Sequence, residues 1–519
     1  MMTRILTTTC LLALTAGAAQ AEYNLTILHT NDFHDRYEPI SQYDGPCSAE
    51  DNAAGECFGG AARLQTALEE ARSRSNNTIL VDGGDQFQGT LFYTLYKGEM
   101  TAEFMNKLGY DAMTVGNHEF DDGPEVLAAF IDAVEFPVLM SNADVSGEDL
   151  LSDKIMKSTV IERGGERIGL IGLTPENTGE LSNPGGNIIF TQPADAVQAQ
   201  VDALTADGVN KIIVLSHSGY GIDQDVAANT TGVDVIVGGH DNSLLGNMDG
   251  AKGPYPTMVN GTAIVQAYAY GKFLGELNVT FDDDGVITEA AGQPILMDGG
   301  VTEDTATVDR IAELAQPLEE IRNEVVGETT DAIEGNRDVC RAMECSGGNL
   351  IADAMLDRVQ DQGIAVAFTN SGGIRASIDA GEITKGEVLT VLPFQNTLST
   401  FRVTGEQLME ALENGVSQIA DGSGRFPQVA GMTFEVDPTA EVGSRVSNVM
   451  VGGAAIDPSQ TYGLVSNNFV RNGGDGYTMF QNAEDAYDFG PDVADVVAEY
   501  IANLGGTYTP YTDGRITMN

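Results

Sequence analysis

The stretch YNLTILHTNDFH, Tyr23 to His34, decides the fold. It opens as a short aliphatic run, residues 23–28, and closes in a cluster of polar side chains. A run this short, stopped by polar residues, reads as a buried strand that delivers a loop at its carboxyl end. Working outward, the pattern recurs. Residues 78–81 run into Asp82-Gly-Gly-Asp85, residues 112–115 into Gly116-Asn-His-Glu119, residues 212–215 into Ser216-His217, and residues 233–237 into Gly238-Gly-His240. Helix-like segments at 61–73, 100–108, 124–134 and 194–206 lie between them. Alternating strand and helix implies a layered α/β domain. Such folds place their sites beyond the carboxyl ends of the strands, where these polar clusters fall.

From residue 304 the period changes. Ile311, Leu314, Leu318, Ile321 and Val325 recur at helical spacing, with Glu on the other face. This predicts a connecting helix over 304–326, broken or kinked near Pro317. It divides a first domain, 22–303, from a second, 327–519, with strands expected near 365–369 and 462–466. Asp282 to Asp284 before Gly285 reads as a hairpin turn, because it lacks the spaced ligands of an EF-hand. No internal repeat or low-complexity segment is evident.

A length of 519 residues fits two or three domains. The formal charge of −51 argues against nucleic acid and anionic lipid as partners, since both would repel the chain. The acids are spread along the chain, as in a solvated acidic surface suited to salty medium. Residues 1–21 read as a signal peptide: one early charge at Arg4, a short apolar stretch and the small-residue site Ala19-Gln20-Ala21. No segment has the ~20 apolar residues of a membrane span, so no stable membrane insertion is expected. Export, to the periplasm or the extracellular medium, leaves Cys47, Cys57, Cys340 and Cys345. In an oxidising compartment, local Cys47–Cys57 and Cys340–Cys345 bridges are expected. Neither pair has the C-x-x-C spacing of a zinc site.

The chain has five histidines: His29, His34, His118, His217 and His240. All lie at or just beyond expected strand ends. Asp32, His34, Asp85, Asn117, His217 and His240 form a mixed nitrogen and oxygen donor set suited to Zn or Mn, and too large for one tetrahedral ion. Two ions sharing one carboxylate would use it fully. His29 sits on the strand itself and reads as a buried supporting residue.

Taken in order, Thr30-Asn-Asp-Phe-His34, Gly83-Gly-Asp-Gln86, Gly116-Asn-His-Glu-Phe-Asp121, Ser216-His217 and Gly239-His-Asp-Asn242 resemble the calcineurin-like metallophosphoesterase half of the secreted 5′-nucleotidase family. Cys340-Arg341 to Glu344-Cys345, residues 348–355, Asn370-Ser-Gly-Gly-Ile-Arg375, Leu392-Pro-Phe394 and residues 468–476 resemble its nucleotide-binding half. The resemblance spans essentially all of the expected mature chain. It implies a four-layer αββα metallophosphoesterase sandwich, a connecting helix and a C-terminal α/β substrate-binding domain. It also implies two divalent ions of Zn, Mn or Co type. Asp32, His34 and Asn242 would hold the first, Asp85 would bridge, and Asn117, His217 and His240 would complete the second; some members carry Gln where this chain has Asn242. His118 and Asp121 resemble the family's catalytic dyad, and Phe394 and Phe469 its base sandwich. Asp475 resembles the ribose acceptor, with Arg341 and Arg375 on substrate anions and Asn370 on the base side.

The implied activity is an exported phosphohydrolase that uses a metal-activated water. It would release phosphate from nucleoside 5′-monophosphates, and would extend to UDP-sugars or nucleoside di- and triphosphates. Alternatives are a 2′,3′-cyclic-nucleotide phosphodiesterase/3′-nucleotidase, a sulfate-releasing sulfur-oxidation hydrolase, which needs no base sandwich, or a non-catalytic nucleoside- or metal-binding protein, which needs no dyad.

Overall fold

The computed structural model describes residues 22–519 apart from 43, 45, 46, 249, 395 and 489, so the expected signal peptide, 1–21, lies outside the described residues. Among these residues the N-terminal half carries two stacked six-stranded sheets. The first runs Ile287–Leu296, Phe273–Phe281, Tyr23–Thr30, Thr78–Asp82, Ala112–Thr114, Val138–Leu139. The second runs Thr257–Val259, Thr262–Val265, Val235–Val237, Ile212–Ser216, Glu166–Leu173, Ser158–Arg163. The strands that lead into the polar clusters pair in parallel, with His29 opposite Val81 and Val237 opposite Leu215.

The continuous apolar runs follow from burial on both faces. Along the first strand, Leu25 and Ile27 face the second sheet, packing with Ile79, Ile213 and Val235. Leu28 faces the opposite way, into a helical layer holding Leu64, Leu68, Phe104 and Leu127. Pro193–Ala206 and Tyr220–Asn229 cover the other sheet through Val197, Val201, Leu204 and Val226. Helix, sheet, sheet and helix make the four expected layers. Each fully buried Leu or Ile contributes about 1.5–3 kcal/mol.

The connecting helix is Thr305–Arg322, with the Asp304 side chain accepting from the Thr307 amide as its N-cap. Two details of the sequence expectation are corrected. The helix runs unbroken through Pro317, whose missing N–H leaves the Glu313 carbonyl without its intrahelical donor. It also stops short of 326. Val325–Thr329 is a strand, antiparallel to Gly381–Thr384, because the β-branched Val325-Val326 pair belongs to the second half's sheet structure. The helix is tied to the first half along its length. Arg310 pairs with Glu103, Tyr96 donates to the Leu314 carbonyl at 2.9 Å, and Arg322 reaches Glu38 at 3.3 Å.

In the C-terminal half a five-stranded sheet runs Pro427–Ala430, Val366–Asn370, Thr461–Asn467, Leu398–Thr404, Glu484–Tyr487. Ser346–Arg358 and Val493–Asn503 pack on one face and Gly405–Val416 on the other. Both expected disulfides are present, Cys47–Cys57 and Cys340–Cys345. The Asp282 carboxylate accepts from the Asp284 and Val286 amides and closes the expected hairpin.

Candidate metal centre and catalytic cleft

Five loops leave the carboxyl ends of parallel strands and converge. Asp32 and His34 follow the first strand, Asp85 the second, Asn117 the third, His217 the strand Ile212–Ser216, and His240 and Asn242 the strand Val235–Val237. The backbone turns sharply to aim them. Asp32, His34, Asp85, His240 and Asn242 all have positive φ, between 51° and 81°, a region non-glycine residues seldom occupy. Strain concentrated this way persists only where surrounding bonds over-determine it.

Those bonds are present. The buried Glu119 carboxylate accepts from the amides of Asp85, Gln86, Phe87 and Gly116, at 3.0, 2.8, 3.1 and 2.6 Å. Asp82 accepts from the Gly84 amide, the Thr30 hydroxyl and the Gln86 amide group. Asn31 donates to Asp32 at 2.7 Å and accepts from the Ala267 amide. Gly116 is required by contact, since a Cβ there would stand 2.2 Å from Asp85 Oδ1. Sequence reasoning passed over Glu119, Asp82 and Asn31. They stood inside the quoted motifs, yet nothing in residue type alone separates a loop-bracing acid from a ligand.

Two donor triads result, Asp32–His34–Asp85 and Asp85–His217–His240, each with its ligand atoms within 4.8 Å of one another. Asp85 belongs to both. His34 Nδ1 lies 3.0 Å from the Phe87 carbonyl and His217 Nδ1 2.6 Å from the Gly83 carbonyl. A carbonyl only accepts, so Nδ1 carries the proton and each Nε2 lone pair faces inward. His217 Nε2 then stands 2.8 Å from Asp85 Oδ2 as one acceptor facing another, and has no hydrogen-bond partner. The buried Asn117 and Asn242 Oδ1 atoms are likewise without partners. Buried acceptors converging on one another need a cation between them. The donor set therefore fits divalent metal.

The electrostatics agree. Without metal, a proton takes part of the cation's place: burial disfavours the charged His217 ring, yet the Asp85 and Asp32 carboxylates outweigh it and raise its pKa to about 10. Asp32 is raised to about 7 by burial and by the neighbouring Asp85. Burial also opposes charge on Asp85, but the surrounding imidazoles hold it below the usual carboxylate range.

His118 stands beside the triads, partly exposed, its ring centroid 5.2 Å from that of His34. Its Nδ1 is 2.7 Å from Asp121 Oδ2. Asp121 in turn accepts from Ser182 at 2.7 Å and Gln88 at 3.2 Å, two braces not expected from the sequence. Burial opposes charge on the His118 ring, but Asp121 and Asp85 raise its pKa to about 10. His29 is buried against Tyr255, with Nε2 2.8 Å from its hydroxyl, and joins neither triad.

The centre opens into a cleft of about 940 Å³. His34, His118 and Asn242 line one side, and Phe394 and Phe469 the other. The Phe469 ring lies over Gly474, where a Cβ would approach it to 2.5 Å. The Arg375 guanidinium sits 5.1 Å from the Phe394 ring centroid. Asn370 donates to Asp475 at 2.7 Å, and Arg341 donates to the Gly422 carbonyl. Arg341, Asn370, Arg375 and Asp475 do not line this cleft.

Residues 25–243 match the calcineurin-like phosphoesterase family and residues 325–482 the 5′-nucleotidase C-terminal domain. A 5′-nucleotidase of Diplobatis ommata is 38% identical over 538 residues, spanning 98% of this chain and 92% of the relative. The chain belongs to the 5′-nucleotidase family. The Homo sapiens 5′-nucleotidase is 37% identical, with 98% of this chain and 94% of the relative aligned. The crystal structure of a 5′-nucleotidase precursor from Thermus thermophilus is 40% identical, with a TM-score of 0.68, covering 96% of this chain and 99% of that one. Family and fold make this 5′-nucleotidase-family chain a metal-dependent phosphoric ester hydrolase. Among its described residues no helix is long and apolar enough to cross a membrane.

Proposed function

We propose that the protein is an exported 5′-nucleotidase that binds two divalent ions and releases phosphate from nucleoside 5′-monophosphates. UDP-sugars and nucleoside di- and triphosphates are further substrates. The observation that carries this reading is the cleft itself, lined by Asp85, which both donor triads share, with His34 and His240 of those triads, and by two aromatic rings. In this reading Asp32, His34 and Asn242 would hold one ion, Asn117, His217 and His240 would hold the other, and Asp85 would serve both. The first domain is 22–303, the connecting segment 304–326 and the second domain 327–519, with the signal peptide cleaved after Ala21 and the mature protein in the periplasm.

When bound, two such ions supply positive charge for the phosphoryl group and acidify a water for attack. The residues do the rest. His118 presents a protonated ring nitrogen to the phosphoryl oxygens or the leaving oxygen, and Asp121 fixes its orientation through Nδ1. Phe394 and Phe469 stack on the base, worth about 1–3 kcal/mol and tolerant of base identity. Asp475 accepts from ribose hydroxyls, Arg341 and Arg375 meet substrate anions, and Asn370 contacts the base.

The test is hydrolysis by purified mature protein of AMP, UMP, UDP-glucose and 2′,3′-cyclic AMP, read both as free phosphate and as the nucleotide and sugar-phosphate products. Each is assayed after chelation and after add-back of Mn, Zn or Co. Activity on the 5′-monophosphates that vanishes with chelator and returns with metal is expected. Absence of phosphate release from any 5′-nucleotide with every metal would refute the reading, and sole activity on the cyclic diester would replace it.

A further inference from the structure

Arg36 is a cation the proposed chemistry has not used. It follows the first loop's donors by two residues, is 7% exposed, and lines the cleft. Its guanidinium carbon lies 5.2 Å from the Tyr270 ring centroid. Among the described residues it makes no ion pair, and its Nε is buried without a hydrogen-bond partner. The carboxylates whose charge reaches it are engaged elsewhere: Asp44 by Lys272 and Tyr268, and Asp35 by Tyr37 and Thr101. A buried, unpaired guanidinium opposes stability. In a chain of charge −51 a carboxylate partner would be easy to supply. A cation left unpaired beside a cleft for anionic substrates is poised for the ligand.

Its position says which part of the ligand. Tyr270 neighbours both Arg36 and the donor residues, its ring 5.8 Å from that of His34. Arg36 also borders a neighbouring groove whose wall includes Leu392 and Pro393, the residues just before Phe394. It therefore lines the cleft that holds both the donor residues and Phe394, at the edge nearest the groove below Phe394, within reach of a substrate that spans the two. Lys252, the other cation on the cleft, is exposed and already faces Asp241 at 3.5 Å.

We propose that Arg36 is a specificity-determining residue that binds the phosphate next to the one cleaved, favouring nucleoside diphosphates over monophosphates. This deepens the nucleotidase reading and rests on it. The planar guanidinium fork suits phosphate oxygens, and a monophosphate offers it no second group.

The experiment compares kcat/KM for ADP and AMP in the metal-loaded parent, Arg36→Gln and Lys252→Gln. Arg36→Gln should lower the ADP/AMP ratio by about tenfold, the usual scale for losing a charge-assisted contact. Lys252→Gln removes the same charge and should leave the ratio as in the parent. Calorimetry with pyrophosphate and with inorganic phosphate reads the same contact without turnover, and Arg36→Gln should weaken pyrophosphate selectively. If Arg36→Gln does not fold, Arg36→Lys, which keeps the charge but not the fork, is measured by the same ratio and should lower it. An unchanged ratio together with unchanged pyrophosphate affinity overturns the proposal. If the parent hydrolyses neither nucleotide, the nucleotidase reading has failed, and the calorimetric difference alone decides Arg36.

Discussion

Replacing Asp121 with Asn isolates one element of the cleft, the negative charge behind His118. Asp121 accepts three hydrogen bonds: Ser182 on Oδ1, and His118 and Gln88 on Oδ2. An Asn keeps one acceptor oxygen, which His118 and Gln88 together hold in the Oδ2 position. Its amide then faces Ser182, whose hydroxyl can rotate to accept. The His118 tautomer and ring plane survive, and only the charge is lost. A charge-assisted bond is roughly twice as strong as a neutral one, so the loss is about 1–2 kcal/mol, or roughly 5- to 30-fold in kcat. The pH profile moves as well. Activity that needs the protonated His118 ring is present below its folded-state pKa and lost as pH rises through it. Asp121 leads the three carboxylates, with Asp85 and Glu119, that overcome burial and raise that pKa. Asp121→Asn must therefore bring the basic limb to lower pH. Asp121→Ala frees the ring to rotate and should lose about 10²-fold or more. The assay is phosphate release across pH with saturating metal, for both variants. Parent-like kcat and pH profile in Asp121→Asn, or a loss equal to that of Asp121→Ala, would contradict the argument.

Three other outcomes are expected. Glu119→Gln turns an amide group towards backbone N–H donors now bound by a carboxylate, so it should destabilise the fold by about 2–5 kcal/mol and weaken metal binding, read by denaturant melts and metal titration. Phe469→Ala should raise KM for AMP by roughly 5- to 100-fold with less effect on p-nitrophenyl phosphate, because only the nucleotide uses the ring; equal losses on both would exclude stacking. Chelated protein should lose thermal stability as pH rises: His217 and Asp32 both have raised folded-state pKa values, about 10 and about 7, so the folded state holds extra protons that it gives up across that range. Melting temperatures of chelated and metal-loaded protein against pH check this, and parallel curves would count against metal replacing those protons.

The strands were legible because burial on both faces leaves an uninterrupted apolar run, and their order along the chain carried the layered architecture. The donor residues were legible because few side chain types can hold a divalent cation, and each followed such a run. The connecting helix was legible as a helix but not in its extent. Val325 continues the helical period from Ile321, and only its pairing with the strand Gly381–Thr384 shows that it has changed partners.

Local order along the chain thus specified which residue types stand at each strand end. It could not specify distances between loops more than a hundred residues apart, such as His217 to Asp85 at 2.8 Å. Those distances depend on sheet order and on left-handed backbone at Asp32, His34 and Asp85, which Glu119, Asp82 and Asn31 help to brace. The bracing is long-range hydrogen bonding to main-chain atoms. Main-chain atoms are the same in every residue, so composition and spacing leave no trace of it. Arg36 shows the same limit: its charge is written in the chain, but its lack of an ion-pair partner is a property of the folded cleft alone.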